Sequence, residues 1–368
     1  MSCLDNTNKV VIPTNMLLDM MNLYRFSGKD SYYNSLFKKD LDTYRGENVK
    51  EEVFYFAKIM QLDLADDRIR LLAKKDIVPK NNSEKIVLNL KKVFNLIIFN
   101  LEHFDLVPNE INDLANMLYN DVFKVKFRVE KVKEKNLHNK KEEFVNKKMD
   151  LELESMIKKF ETMQKSKEYE VTLLITNFFI DFFNSKIFEE NNNYDVNRFI
   201  SYLILYILLF KYEFDVFNYK SFFHKIYENM KIFQNAINQS SFNWEIGYAT
   251  VTETHAFIID RLLECYNKLE DEKQKYSYVS DNRVSKTNDV EVTIVHFPNQ
   301  VFSKADIQKA HPNVSSKTIE RTLERLQQEG KIESLGTGRS AKWVKKISMQ
   351  NGFDYDPVSF VFDDDIMK

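Results

Sequence analysis

Residues 315–328 read SSKTIERTLERLQQ, and five of their side chains could hold a polyanion. Ser316, Lys317, Thr318, Arg321 and Arg325 lie on the polar side of one helix, while Ile319, Leu323 and Leu326 form its apolar stripe. Ammonium and guanidinium groups bind phosphate, and hydroxyls and guanidinium forks reach base edges in a major groove. Arg339 and Lys342 follow on a hairpin, placed to meet flanking phosphates. Residues 298–347 hold ten Lys and Arg against five Asp and Glu, a local excess of +5 in a chain of net charge -2. The competing reading is a protein-interaction or dimerisation module on which Lys317 and Arg321 are simply solvated.

Punctuation residues supply the elements around this helix. Ser303 and Asp306 form a capping box that opens a short helix, which His311, Pro312 and Asn313 end. Ser315 caps the second helix and Gly330 closes it. Residues 331–333 then start a strand, Gly336, Thr337 and Gly338 turn the chain, and residues 341–344 return. Helix, turn, helix and β-hairpin make the plan of a winged helix-turn-helix over residues 292–347, whose second helix enters the major groove of double-stranded DNA. Residues 348–368 have five acids against one Lys and read as an acidic tail, either a disordered tag or a flap competing with DNA.

Other constellations of catalytic chemistry are missing from the sequence. The six histidines, at 103, 138, 224, 255, 296 and 311, show no metal-binding spacing, so no metal is expected. No phosphate-binding glycine loop of the GxxxxGK or GxGxxG type occurs. His224 and His255 fall on helical patterns and read as edges of a core. Cys3 and Cys265 make no disulfide framework, which fits a reducing cytoplasm.

The rest of the chain reads as helix. Its 368 residues suggest two or three domains, and a hydrophobic fraction of 43% suffices for a large core. No Gly lies between Gly46 and Gly247, and no Pro between Pro108 and Pro298. A β-protein needs turn residues far more often. Val87, Leu90, Val93, Phe94 and Ile97 recur at helical spacing, as do Val171, Leu174, Ile175, Phe178 and Phe182, and Phe222, Ile226, Met230, Phe233 and Ile237. The expected order is a mixed arm over 1–50 with an extended piece at Val10–Pro13, a helical region over 51–110 and a helical core over 111–267. A charged linker over 268–291, or a charged helix end running into a linker, follows, with a short strand expected at 292–295. The apolar run 199–210 is too short to span a bilayer and reads as a buried helix; no signal peptide is expected at the N-terminus.

The helical body resembles the Fic family. Residues 178–209 match its pattern of a helix, a functional loop and an apolar helix. The family loop reads HPFx(D/E)GNGRxxR. Phe188 matches its Phe, Glu190 its acid, Asn192 its Asn, and Arg198 its final Arg with a one-residue offset. Trp244 and Glu245 resemble a downstream family segment; Lys126, Phe127 and Arg128 resemble the element before the target-docking flap. The resemblance implies a helical body, an activity of AMP transfer from ATP to protein hydroxyls, a His base and a glycine turn cradling the nucleotide.

The departures alter that expectation. Lys186 or Ile187 stands in place of the His, Asn191 and Asn193 replace both glycines, and Tyr194 replaces a phosphate-binding Arg. The inhibitory motif of many relatives is missing too; only Asp63 remains as an acid. The fold class expected is mainly α, a Fic-like bundle followed by a small α+β winged-helix domain. The function expected is that of a non-catalytic transcriptional regulator or DNA-tethered scaffold, with DNA, a protein at the Fic-like cleft and a second copy as partners, and with no membrane and no cofactor. The rivals are a divergent transferase using Glu190, Asn192 and Arg198 with ATP and Mg, and a pure interaction module.

Overall fold

The computed structural model describes residues 2–135, 142–281, 286–295, 297, 300–312, 314–336 and 341–346. Arg339 and the acidic tail lie outside them. The chain forms two compact units, Met1–Glu270 and Asp271–Lys368.

The first unit begins with α1 (Thr14–Ser27), α2 (Asp30–Leu36), α3 (Leu41–Ile59), α4 (Asp66–Lys74), α5 (Asn82–Asn100) and α6 (Pro108–Leu118). A hairpin of β1 (Val129–Lys135) and β2 (Glu142–Lys148) leads into α7 (Met149–Ser166), α8 (Val171–Ser185) and α9 (Val196–Tyr212). Helices α10 (Phe222–Glu228), α11 (Met230–Ser241) and α12 (Thr252–Asp281) follow. α8 and α9 pack side by side; both are apolar on nearly every face and buried on nearly every face, as central helices must be. Phe178, Phe179, Tyr202 and Tyr206 are among the fully buried side chains at this centre.

The first 50 residues, expected as a mixed arm, are largely helical and packed. Met16, Met20 and Leu23 of α1 are buried, as are Tyr33 and Phe37. The extended piece is present: Val10 and Pro13 have β-region dihedrals. Before it, residues 3–9 form a 3-10 turn against α8. Asp181 of α8, fully buried, accepts hydrogen bonds from the Cys3 and Leu4 N–H groups (2.6 and 3.0 Å) and from Trp244 Nε1 (2.8 Å).

The second unit holds α13 (Lys286–Val295), β3 (Val301–Ser303), α14 (Lys304–Ala310), α15 (Ser316–Gln328), β4 (Ile332–Ser334) and β5 (Lys342–Lys345). Residues 292–295, expected as a strand, belong to α13, and the expected linker is helical up to Asp281. The β-branched run Val292–Val295 favours a strand locally, but Val290 and Ile294, four residues apart, bury one helical face in the unit's core. β3 pairs with β5, giving an antiparallel sheet of order β3-β5-β4 beside the two helices. The expected caps form: Ser303 and Asp306 make the capping box, and Ser315 accepts from the Thr318 N–H. Gly330, at φ 72°, ends α15 in a Schellman arrangement, with its N–H on Gln327 and that of Lys331 on Leu326.

Candidate functional site

Two places carry the residues singled out in the sequence. The first is the loop joining α8 to α9. α8 stops at Lys186, which adopts a left-handed conformation (φ 45°, ψ 60°) costing a non-glycine residue about 1–2 kcal/mol. Arg128 offsets this. Its Nε donates to the Lys186 carbonyl (2.7 Å) and its Nη2 to the Ser185 carbonyl (2.9 Å), placing a cation at the negative end of the helix. The backbone then forms an antiparallel bridge between Phe127 and Phe188, with Arg128 N–H on Ile187 (2.9 Å) and Glu189 N–H on Lys126 (3.0 Å). The two Phe rings stack at 5.5 Å. Asn197 completes the anchor: its amide donates to the Phe188 carbonyl (3.0 Å) and accepts from the Phe188 N–H (2.8 Å). The sequence reading passed over Asn197; its one signal was a position in the first turn of α9.

Beyond that anchor, Glu190, Asn192 and Asn193 are exposed around an open cavity of about 530 Å3. Phe183, Lys186, Tyr194 and Arg198 also line it. Among the described residues, the two cations lining the cavity each face a neighbouring acid. Lys186 Nζ lies 3.3 Å from Glu190, and Arg198 lies 3.0 Å from Asp195, which also caps α9 through the Arg198 N–H. Asn191 and Asn193 are not among the residues with positive φ, so the left-handed turn that glycine would permit is not made. The Asn193 N–H is taken by the Asn191 side chain (2.9 Å) and the Phe188 N–H by Asn197. Tyr194 stacks on Phe123 at 5.5 Å instead of offering a charge. A diphosphate needs several converging N–H groups or surplus cations, and the residues present do not fit one.

No histidine lines this cavity among the described residues. His255 is fully buried with Nε2 on the Thr172 hydroxyl (2.7 Å), and His224 stacks on Tyr55 at 4.0 Å while burial pushes it below the usual imidazole range. Lys186 is exposed and engaged with Glu190. It lacks the apolar surroundings in which lysines serve as bases. Trp244 is a structural tie to Asp181, Glu245 is exposed, and Asp63 is exposed.

The second place is α15. Lys317 and Arg321 project from the centre of its exposed face, opposite the buried Ile319, Leu323 and Leu326. Ser316 is exposed beside them; Thr318 is half-buried, and its hydroxyl bonds that of Ser315 (2.9 Å). Arg325 has a different task. It pairs with Glu291 of α13, a side chain 5% exposed, and with Glu329 (3.1 Å), and Lys331 reaches the same Glu291 (3.0 Å). This clamp ties α13 to α15 and the start of the hairpin. Lys342 is exposed on β5, opposite Ser303.

Helix–loop–helix centre, hairpin bridged to the loop and helices on both sides together define a fold of the Fic class. The chain has that fold. It is similar to the crystal structure of a Fic family protein from Desulfovibrio desulfuricans G20, with a TM-score of 0.53 and 13% identity, covering 91% of this chain and 97% of that one. A Fic domain containing signaling protein from Bacteroides thetaiotaomicron VPI-5482 is also similar, with a TM-score of 0.45 and 12% identity, covering 72% of this chain and all of that one. No protein-family model and no curated protein matches the sequence. No helix of the described residues is long and apolar enough to cross a membrane.

Proposed function

We propose that this chain is a Fic-fold protein without nucleotide-transfer activity, and that its second unit is a winged helix that binds double-stranded DNA. The carrying observation is the exposed face of α15, where Lys317 and Arg321 stand with Ser316 and Glu324, in a unit that also exposes Lys342 on β5. In helix-turn-helix proteins such a face enters the major groove. Arg325, engaged with Glu291, is a structural residue in this reading rather than a base-reading one. The loss of transfer activity rests on a loop whose cations are paired and whose asparagines make no phosphate cradle. The protein acts as a cytoplasmic transcriptional regulator or a DNA-tethered scaffold, with the open loop cavity as the place for a protein partner.

Gel shifts with random genomic fragments test the DNA reading. Binding is expected at low salt, weakening steeply as salt rises. Intact chain that ignores DNA at 50 mM salt overturns it. Incubation with labelled ATP or GTP and candidate protein targets tests the other half: no label is expected, and label that disappears in Glu190→Ala overturns it.

A further inference from the structure

Beside the exposed face of α15 lies an open groove of about 720 Å3. Leu323 and the half-buried Trp343 form its floor, Ala305 and Ala341 its sides, and Lys304 and Glu320 part of its rim. Two acids line it: Glu320 pairs with Lys304, while Glu324 is exposed. The floor is a ready seat for aromatic side chains, since an aromatic ring gains both burial and ring–ring contact against Trp343. Lys317 and Arg321, exposed and each one position along α15 from the lining residues Ser316 and Glu320, are the nearest cations of that helix in sequence.

The chain itself carries a segment with the matching pattern. Trp343 stands on β5, and the 22 residues after Lys346 leave from the end of that strand. They read ISMQNGFDYDPVSFVFDDDIMK: aromatic and acidic residues alternate, then Phe360, Val361 and Phe362 precede Asp363, Asp364 and Asp365. Phe360 lies fourteen positions beyond Lys346, a reach of at most about 50 Å, ample to return to the groove. The charges nearly cancel: residues 298–347 hold ten basic against five acidic side chains, and residues 348–368 five acidic against one basic.

We propose that the C-terminal segment of the same chain is the occupant of this groove. Phe360 and Phe362 seat against Trp343 and Leu323, and Asp363, Asp364 and Asp365 face Lys317 and Arg321. The tail thereby covers the surface assigned above to DNA. This regulation rests on the DNA reading, whereas the docking itself stands apart from it.

The test uses full-length chains and a synthetic peptide of residues 350–368. In the Phe360→Ser/Phe362→Ser variant the groove is vacated, and the labelled peptide is expected to bind in a salt-sensitive way. The unaltered chain, filled by its own tail, is expected to bind it at least tenfold more weakly. Adding Lys317→Glu/Arg321→Glu to the variant is expected to abolish peptide binding. Equal binding to both chains, or binding to neither, overturns the proposal. A dimer of the unaltered chain that dissolves in the Phe360→Ser/Phe362→Ser variant also overturns it, because the tail would then seat on a second copy. Non-specific DNA should bind the tail variant about tenfold more tightly than the unaltered chain. If peptide docking holds and neither chain binds DNA at 50 mM salt, the DNA reading alone falls.

Discussion

Arg321 and Arg325 are both arginines on one helix, four residues apart, yet their surroundings give them different work. Arg321 is exposed, while Arg325 is held by Glu291 and Glu329. Replacing Arg321 by Ala should weaken DNA binding about 3- to 10-fold, reduce the salt slope by about one and leave thermal stability unchanged. Arg325→Ala should do the reverse: a loss of about 1 kcal/mol in stability, modest because its side chain is 42% exposed, with a smaller effect on DNA. Fluorescence anisotropy and thermal melts of the two variants separate these outcomes. In the loop, Asn197 is the comparable anchor. Asn197→Ala leaves the Phe188 N–H and carbonyl without their partner and should cost about 1–3 kcal/mol, seen as faster amide exchange at Phe188.

At the scale of elements, α8 is the axis of the body. Its N-terminus is capped by Glu170, whose carboxylate accepts from the Thr172 and Leu173 N–H groups and from the Tyr24 hydroxyl. Burial pushes the Glu170 carboxyl up, but the hydrogen bond and charge of His255, with those hydroxyls, outweigh it and hold it at about 2. Near the other end of the helix, Asp181 fastens the N-terminal turn and the Trp244 segment together. Asp181→Ala orphans three donors at once and should cost about 2–4 kcal/mol. Hydrogen exchange should then localise the loss to residues 3–9 and 241–248; a change confined to residues near position 181 would show that the N-terminal turn docks by apolar contact alone.

At the scale of the whole molecule, carboxyls raised by burial set the pH response: Glu52 and Asp30, with Asp181 and Glu213 shifted in the same direction. Burial raises Glu52, which accepts from Ser221, Phe222 and Phe223, to about 7. Burial likewise raises Asp30, bonded to Tyr266 and Asp215, to about 7. The folded chain keeps protons that the unfolded chain releases near pH 4 to 4.5, so these groups favour folding most in acid. Their contribution falls as pH rises to about 7, by at most about 3 kcal/mol for Glu52. Glu170 acts in the opposite sense: its contribution is full above about 4.5 and is lost toward pH 2. Urea unfolding should therefore show maximal stability near pH 4–5 and a decline toward neutrality, and Glu52→Gln should flatten that decline. A profile still rising from pH 5 to 8 would contradict these assignments.

Much of this protein follows from local rules acting on the sequence. The helical body, the two capped helices of the second unit and the turn at Gly330 rest on apolar spacing, short-range caps and one glycine dihedral, each decided within a few residues. The residues of the α8–α9 loop, Asn191 and Asn193 where the resemblance expects glycines and Tyr194 where it expects Arg, were equally legible, because residue types are read directly from the sequence. Tertiary structure decided the rest. Residues 292–295 prefer a strand alone, but burying Val290 and Ile294 together makes them helix. Arg325 reads as one more polar-face cation of α15 until Glu291, 34 residues earlier, is brought beside it. Such pairings depend on which distant side chain the fold places within a few ångströms, and no local spacing encodes that.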